Sequence, residues 1–96
     1  MKKKEKDIIN LLSKTYTYPL LQSMNRGPRR FKDLSEACQN EKMRTQRLRE
    51  FEGFSLIKVQ ARRIEGRAVS LYELSETGRA ILKFAEDIKR IQKSKQ

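Results

Sequence analysis

Asn40-Glu41-Lys42-Met43-Arg44-Thr45-Gln46-Arg47-Leu48-Arg49-Glu50-Phe51-Glu52-Gly53-Phe54 is the stretch on which the fold turns. With Met43, Leu48 and Phe51 taken as the buried side, Lys42, Thr45, Gln46 and Arg49 fall outward. The spacing therefore predicts an amphipathic helix over about 41–54 with a cationic outer face. Before it, Phe31, Leu34, Ala37 and Cys38 recur at three- and four-residue intervals and predict a helix over about 31–38, whose outer face is Lys32, Asp33, Ser35 and Glu36. Gln39-Asn40 is left as a short polar turn, where Asn40 tolerates the left-handed backbone such turns often require. Two helices joined by a tight turn over about 31–54 make a helix-turn-helix unit.

Upstream, Ile8, Ile9, Leu11, Leu12 and Tyr16 lie on one side of a helix predicted over 5–16. Pro19 suits an early position of a second helix carrying Leu20, Leu21 and Met24 inward, and Gly27-Pro28 ends it. Downstream the period changes from helical to alternating. Leu56-Ile57-Lys58-Val59-Gln60-Ala61 and Ala68-Val69-Ser70-Leu71-Tyr72-Glu73-Leu74 flank a Glu65-Gly66 turn and predict a β-hairpin over about 56–74. Its tip carries Arg62, Arg63 and Arg67. Ser75 is a natural N-cap for a last helix over about 76–93, along which Ile81, Phe84, Ile88 and Ile91 keep the rhythm of a coiled-coil seam too short to stand alone. The end runs Lys2-Lys3-Lys4 and Lys93-Ser94-Lys95-Gln96 read as frayed.

The whole of 1–96 is the size of one domain, mainly helical in the α+β sense, and its hydrophobic fraction of 36% supports one modest core. Lys+Arg is 23 against Asp+Glu 12, a net charge of +11, so the chain is expected to seek a polyanion. Without histidine, and with Cys38 as the single cysteine, the chain cannot assemble a Cys/His zinc site or an internal disulfide. No general base suited to neutral pH and no glycine-rich phosphate loop is present, so neither an enzyme nor a cofactor is expected. No run approaches the ~20 apolar residues of a membrane span. The expected location is the cytoplasm, in association with the nucleoid.

In order, Tyr18-Pro19-Leu20-Leu21, Arg30-Phe31-Lys32-Asp33-Leu34, Arg47-Leu48-Arg49-Glu50-Phe51-Glu52, Leu56-Ile57 and Tyr72-Glu73-Leu74-Ser75-Glu76-Thr77-Gly78 fall where one family has its landmarks. Over about 18–82 the chain resembles the winged helix-turn-helix transcriptional regulators of the HxlR/MarR type. The resemblance implies a homodimer with recognition helix 41–54, a two-stranded wing over 58–72, and a C-terminal dimerisation helix. Its interface is expected from Ile8, Leu12, Ile81, Phe84, Ile88 and Ile91. Ser55 stands where the family usually has glycine, and the turn between the two motif helices is shorter than in typical relatives. Arg44 stands where the family is usually apolar: either its stem covers the core while its head reaches out, or the helix is rotated.

The partner so implied is double-stranded DNA. Lys42, Thr45, Gln46 and Arg49 are the candidate major-groove residues, with Arg44 beside them, because Arg and Lys donate to guanine and Gln pairs with adenine bidentately. Arg62, Arg63 and Arg67 suit the flanking minor groove. Arg29, Arg30 and Lys32, at the start of the 31–38 helix, suit phosphate. Set against these contacts is an ordinary solvated basic surface. Cys38 reads as a core residue rather than a redox sensor. Besides a sequence-specific regulator, the charge fits an architectural DNA binder of low specificity, and the fold fits a protein-interaction module. No residue pattern names an effector.

Overall fold

A computed structural model describes residues 7–94. In chain order these form α1 (Ile8–Leu12), α2 (Thr17–Asn25), β1 (Arg29–Arg30), a 3-10 helix (Lys32–Glu36), α3 (Glu41–Gly53), β2 (Ile57–Ile64), β3 (Arg67–Leu74) and α4 (Glu76–Ser94). The lysine run 2–4, the last two residues, and positions 5 and 6 of the first predicted helix lie outside the described residues, whereas Lys93 is helical. Helix-turn-helix, hairpin and last helix follow one another as the periodicities predict, giving a winged helix-turn-helix.

The core gathers Leu20, Leu21 and Met24 of α2, Leu48 and Phe51 of α3, and Leu56, Leu74 and Leu82 from the strand ends and α4. Burying these side chains from every layer is the main favourable term holding the elements together. The hairpin runs in register from Ile57↔Leu74 to Ile64↔Arg67. Its two-residue turn has φ of 53° at Glu65 and 79° at Gly66, the positive pair of a type I′ turn.

Several local expectations change. The first helix stops at Leu12: Tyr16 turns left-handed at φ 74°, and the Thr17 hydroxyl donates to the Leu11 carbonyl at 2.8 Å, which satisfies an orphan group of that helix end. The predicted 31–38 helix shortens to a 3-10 helix. Asn40 is not left-handed but extended (φ −74°, ψ 114°), because it caps α3 with its side-chain oxygen accepting from Met43 N–H at 2.9 Å. The sheet has a third strand beyond the two predicted: β1 pairs with β3 through Arg29↔Tyr72 and Arg30↔Leu71. Two residues after Gly27-Pro28 are too few to show an alternating pattern.

Both ends of the strand region are closed by a specific join. Ser55 is left-handed (φ 60°); its N–H donates to the Glu52 carbonyl and the Leu56 N–H to that of Phe51, both at 2.9 Å. This is a Schellman cap, with Leu56 packed beneath it beside Phe51. Ser75 N–H donates to the Leu56 carbonyl, its hydroxyl donates to the Ser55 carbonyl at 2.7 Å, and that hydroxyl accepts from Gly78 N–H at 3.0 Å. Gly78 lies so near that a Cβ there would stand 2.0 Å from the Leu56 oxygen. The Ser75-Glu76-Thr77-Gly78 motif is thus an N-cap and a close crossing in one.

Candidate nucleic-acid interface

The outer surface of α3 is defined by what its inner stripe takes up. Leu48 and Phe51 are buried, as expected, but so are Arg44 and Arg47, at 3% and 5% exposure. Lys42, Gln46 and Arg49 are exposed and Thr45 is half-buried, so these four share the outward side.

Arg44 is the correction to the predicted contact set. Its guanidinium donates from Nε to the Cys38 carbonyl at 2.9 Å, from Nη2 to that of Gln39 at 3.0 Å, and from Nη1 to that of Phe31 at 3.4 Å. It also lies 4.5 Å from the Phe31 ring centroid. The head does not reach out as the first sequence alternative has it: it grips backbone carbonyls of the motif. Arg47 was not singled out by sequence. Its Nε donates to the Thr15 carbonyl at 2.9 Å and its Nη1 to Glu50 Oε1 at 3.1 Å, while Lys14 Nζ meets Glu50 Oε2 at 2.8 Å. Burial would raise the Glu50 pKa, but the hydrogen bonds and charges of Lys14 and Arg47 outweigh it and hold the carboxyl below its ordinary 4.5. The signal was available: positions 44, 47, 48 and 51 form one helical stripe, two members of which are arginines.

On the wing Arg62, Arg63 and Arg67 are all exposed. They do not form one cluster. The register sets Arg62 opposite Val69, Arg63 opposite Ala68 and Arg67 opposite Ile64. Side chains alternate along a strand, so Arg62 and Arg67 project from one face of the hairpin and Arg63 from the other. Arg63 Nη1 donates to the Gly66 carbonyl at 2.9 Å, bracing the turn.

Arg29 and Arg30 belong to β1 and precede only the five-residue 3-10 helix Lys32–Glu36 rather than opening the helix predicted over 31–38. Arg29 Nε donates to the Ser23 carbonyl at 3.0 Å. Arg30 pairs with Asp33, Nε to Oδ2 at 3.2 Å, and its own N–H donates to the same oxygen at 3.1 Å. Those bonds to Arg30, side chain then backbone, hold the Asp33 carboxyl below its ordinary 3.8. Lys32 is exposed. Among the described residues, ion pairs join Lys14 and Arg47 to Glu50, Arg30 to Asp33, and Arg90 to Asp87. None engages Lys42, Arg49, Arg62, Arg63 or Arg67, so these five charges face solvent uncompensated. Cys38 is 1% exposed, its Sγ 3.5 Å from the Asn40 carbonyl.

A sequence model described as HxlR-like helix-turn-helix matches residues 11–95. The chain belongs to the HxlR-like helix-turn-helix family. Among solved structures it is similar to the transcriptional regulator YodB from Bacillus subtilis in its reduced form, at 26% identity and a TM-score of 0.77, over 94% of this chain and 89% of that one. The redox regulator HypR in its reduced form matches at 21% identity and TM-score 0.76, over 91% and 87%. A MarR-family regulator from Porphyromonas gingivalis matches at 21% and 0.73, over 96% of each chain. No curated protein matches the chain in sequence. As a member of this family the chain is a DNA-binding transcriptional regulator and not an enzyme. Among the described residues no helix is long and apolar enough to cross a membrane.

Proposed function

We propose that this regulator is a homodimer that reads a specific duplex, with α3 in the major groove and the hairpin along the neighbouring minor groove, the whole of 1–96 acting as one domain. The observation that carries the reading is the outward set Lys42, Thr45, Gln46 and Arg49, which is exposed or half-exposed, free of ion pairs, and opposite a stripe held fast by two buried arginines. Gln46 and Arg49 have the donor geometry for adenine and guanine edges, and Lys42 near the helix start suits a phosphate or a guanine. Lys32, Arg62 and Arg67 add phosphate and minor-groove attraction, and Arg29 and Arg30 add to the field while bound to the protein itself. Arg44 leaves the contact set, and with it goes one reason for a non-specific binder. Such a protein works at the nucleoid, in the cytoplasm.

The dimer reading rests on α4, where Phe84, Ile88 and Ile91 are 62%, 60% and 58% exposed, and on Ile9 of α1 at 68%. Ile8, Leu12 and Ile81 are half-buried against the core and would border that contact rather than form its centre. Phe84 and Ile88, one turn apart, are apolar beyond what a lone helix in water tolerates without cost. In-vitro selection from random duplexes at two salt concentrations tests the proposal. A pseudo-palindromic consensus whose affinity falls steeply with salt is the expected result; equal affinity for selected and random duplexes would end the claim of sequence specificity. Replacing Gln46 and Arg49 by Ala is expected to cost roughly 1–3 kcal/mol each at the selected site and to relax its consensus.

A further inference from the structure

Arg47, Glu50 and Lys14 are charged, well or partly buried, and outside the contact set proposed above. Their positions explain why. Leu48 and Phe51 pack α3 onto the core, but apolar contact is non-directional and leaves the helix free to roll or slide by small amounts. The guanidinium of Arg47, bonded at once to the Thr15 carbonyl and to Glu50, is directional, and so is Lys14 on the other oxygen of the same carboxylate. These bonds bridge 32 and 36 residues of sequence, tying the middle of α3 to the junction between α1 and α2. That junction is in turn tied to the last helix: Lys89 of α4 lies 4.5 Å from the ring centroid of Tyr18, the second residue of α2. Lys89 is next in sequence to Ile88, one of the exposed apolar residues of α4. Two contacts, Lys89 on Tyr18 and Arg47 on Thr15, therefore meet on the same short stretch of chain where α1 gives way to α2 and connect α4 to the middle of the recognition helix through it.

We infer that Arg47 is a positioning residue, which with Glu50 and Lys14 fixes the angle of α3 relative to α4 and thereby sets the spacing between half-sites that a dimer accepts. The inference rests on the dimeric reading above. In a two-fold assembly the separation of the recognition helices is fixed by the rigidity of each path from interface to helix, and a helix-turn-helix dimer reads half-sites about one DNA turn apart. A roll of α3 moves both reading heads, in opposite directions. Arg44 does not share the role, because its bonds go to Phe31, Cys38 and Gln39, all within the helix-turn-helix motif itself.

The test uses the full chain and the duplex it selects from a random library, rebuilt with the spacer one base pair shorter and one longer, together with a duplex holding a single half-site. Wild-type protein is expected to discriminate against either altered spacer at least tenfold. Arg47→Met, similar in length and uncharged, is expected to keep single half-site affinity within about threefold, while discrimination between spacers falls to about threefold or less. Arg47→Lys should recover part of it. An Arg47→Met protein that is folded by circular dichroism and keeps the full tenfold preference would overturn the assignment. Should Arg47→Met not fold, Lys14→Met and Glu50→Gln, which loosen the same clamp from its more exposed side, decide by the same two readouts. A wild-type protein that is monomeric, or indifferent to spacer length, overturns the dimeric reading and this inference with it, a failure visible before any substitution is made.

Discussion

Ser55 shows how a single residue can hold a left-handed position for which glycine is the usual choice. At φ 60° a residue with a Cβ carries strain of about 1–2 kcal/mol, yet the Schellman bonds and the Ser75 hydroxyl on its carbonyl leave the chain no other course. None of those bonds uses the side chain of Ser55. Ser55→Gly is therefore expected to stabilise the fold by about 1 kcal/mol net of glycine's entropy, raising Tm by about 4–8 °C in a thermal melt. At the other side of the same join the sign reverses. Gly78→Ala puts a methyl 2.0 Å from a backbone oxygen, with no flexible side chain to yield, and is expected to cost about 2–3 kcal/mol in denaturant unfolding. Both sites were visible in the sequence as motif letters, a serine in a glycine's place and a terminal glycine, but their roles were not. Each depends on atoms twenty or so residues away, and no local period reports those.

The elements divide by how repetitive their environment is. α3, the hairpin and α4 were legible because each runs for eight residues or more per helix or strand, long enough for a helical or alternating period to register. α1, the 3-10 helix and β1 have at most five residues each, and their shape is set by caps and cross-strand pairing instead. The same limit applies to the candidate contacts. Lys42, Gln46 and Arg49 were placed outward correctly, whereas Arg44 and Arg47 were not recognised as buried, because a polarity pattern treats arginine as surface. A guanidinium that satisfies itself on backbone carbonyls is compatible with burial. The wing arginines were read as one group because sequence proximity hides the strand's alternation. Their separation has a consequence for binding. If the face with Arg62 and Arg67 meets the duplex, Arg62→Ala and Arg67→Ala should each lower affinity for all sequences by roughly threefold to tenfold and reduce the slope of log affinity against log salt by about one. Arg63→Ala, on the opposite face and engaged with Gly66, should change that slope by much less. Equal losses at all three positions, measured by titration over a range of salt, would mean that the tip is gripped from both sides.

At the scale of the molecule, opposing demands meet on α4. A net charge of +11 makes two copies repel, and the last helix itself carries several lysines and arginines. In the proposed dimer, association would therefore draw on apolar contact, for which Phe84 and Ile88 are exposed on α4 while Leu82 is buried in the core. Repulsion between copies weakens with salt as the Debye length shortens, whereas apolar burial does not, so self-association should strengthen between low and moderate ionic strength even as DNA affinity falls. Those opposite trends separate the two surfaces experimentally. Phe84→Glu or Ile88→Glu leaves Leu82 and the core untouched but sets a carboxylate into the proposed seam, where it has no partner. Each is expected to weaken the dimer by on the order of 3 kcal/mol, at least a hundredfold in Kd, with the melting profile of the monomer retained. Light scattering across a dilution series reads the mass directly. On a duplex holding both half-sites the same variants should bind about as weakly as on a single half-site, because each recognition helix then binds without the other. A variant of either kind that keeps the dimer mass would move the interface away from this stripe of α4.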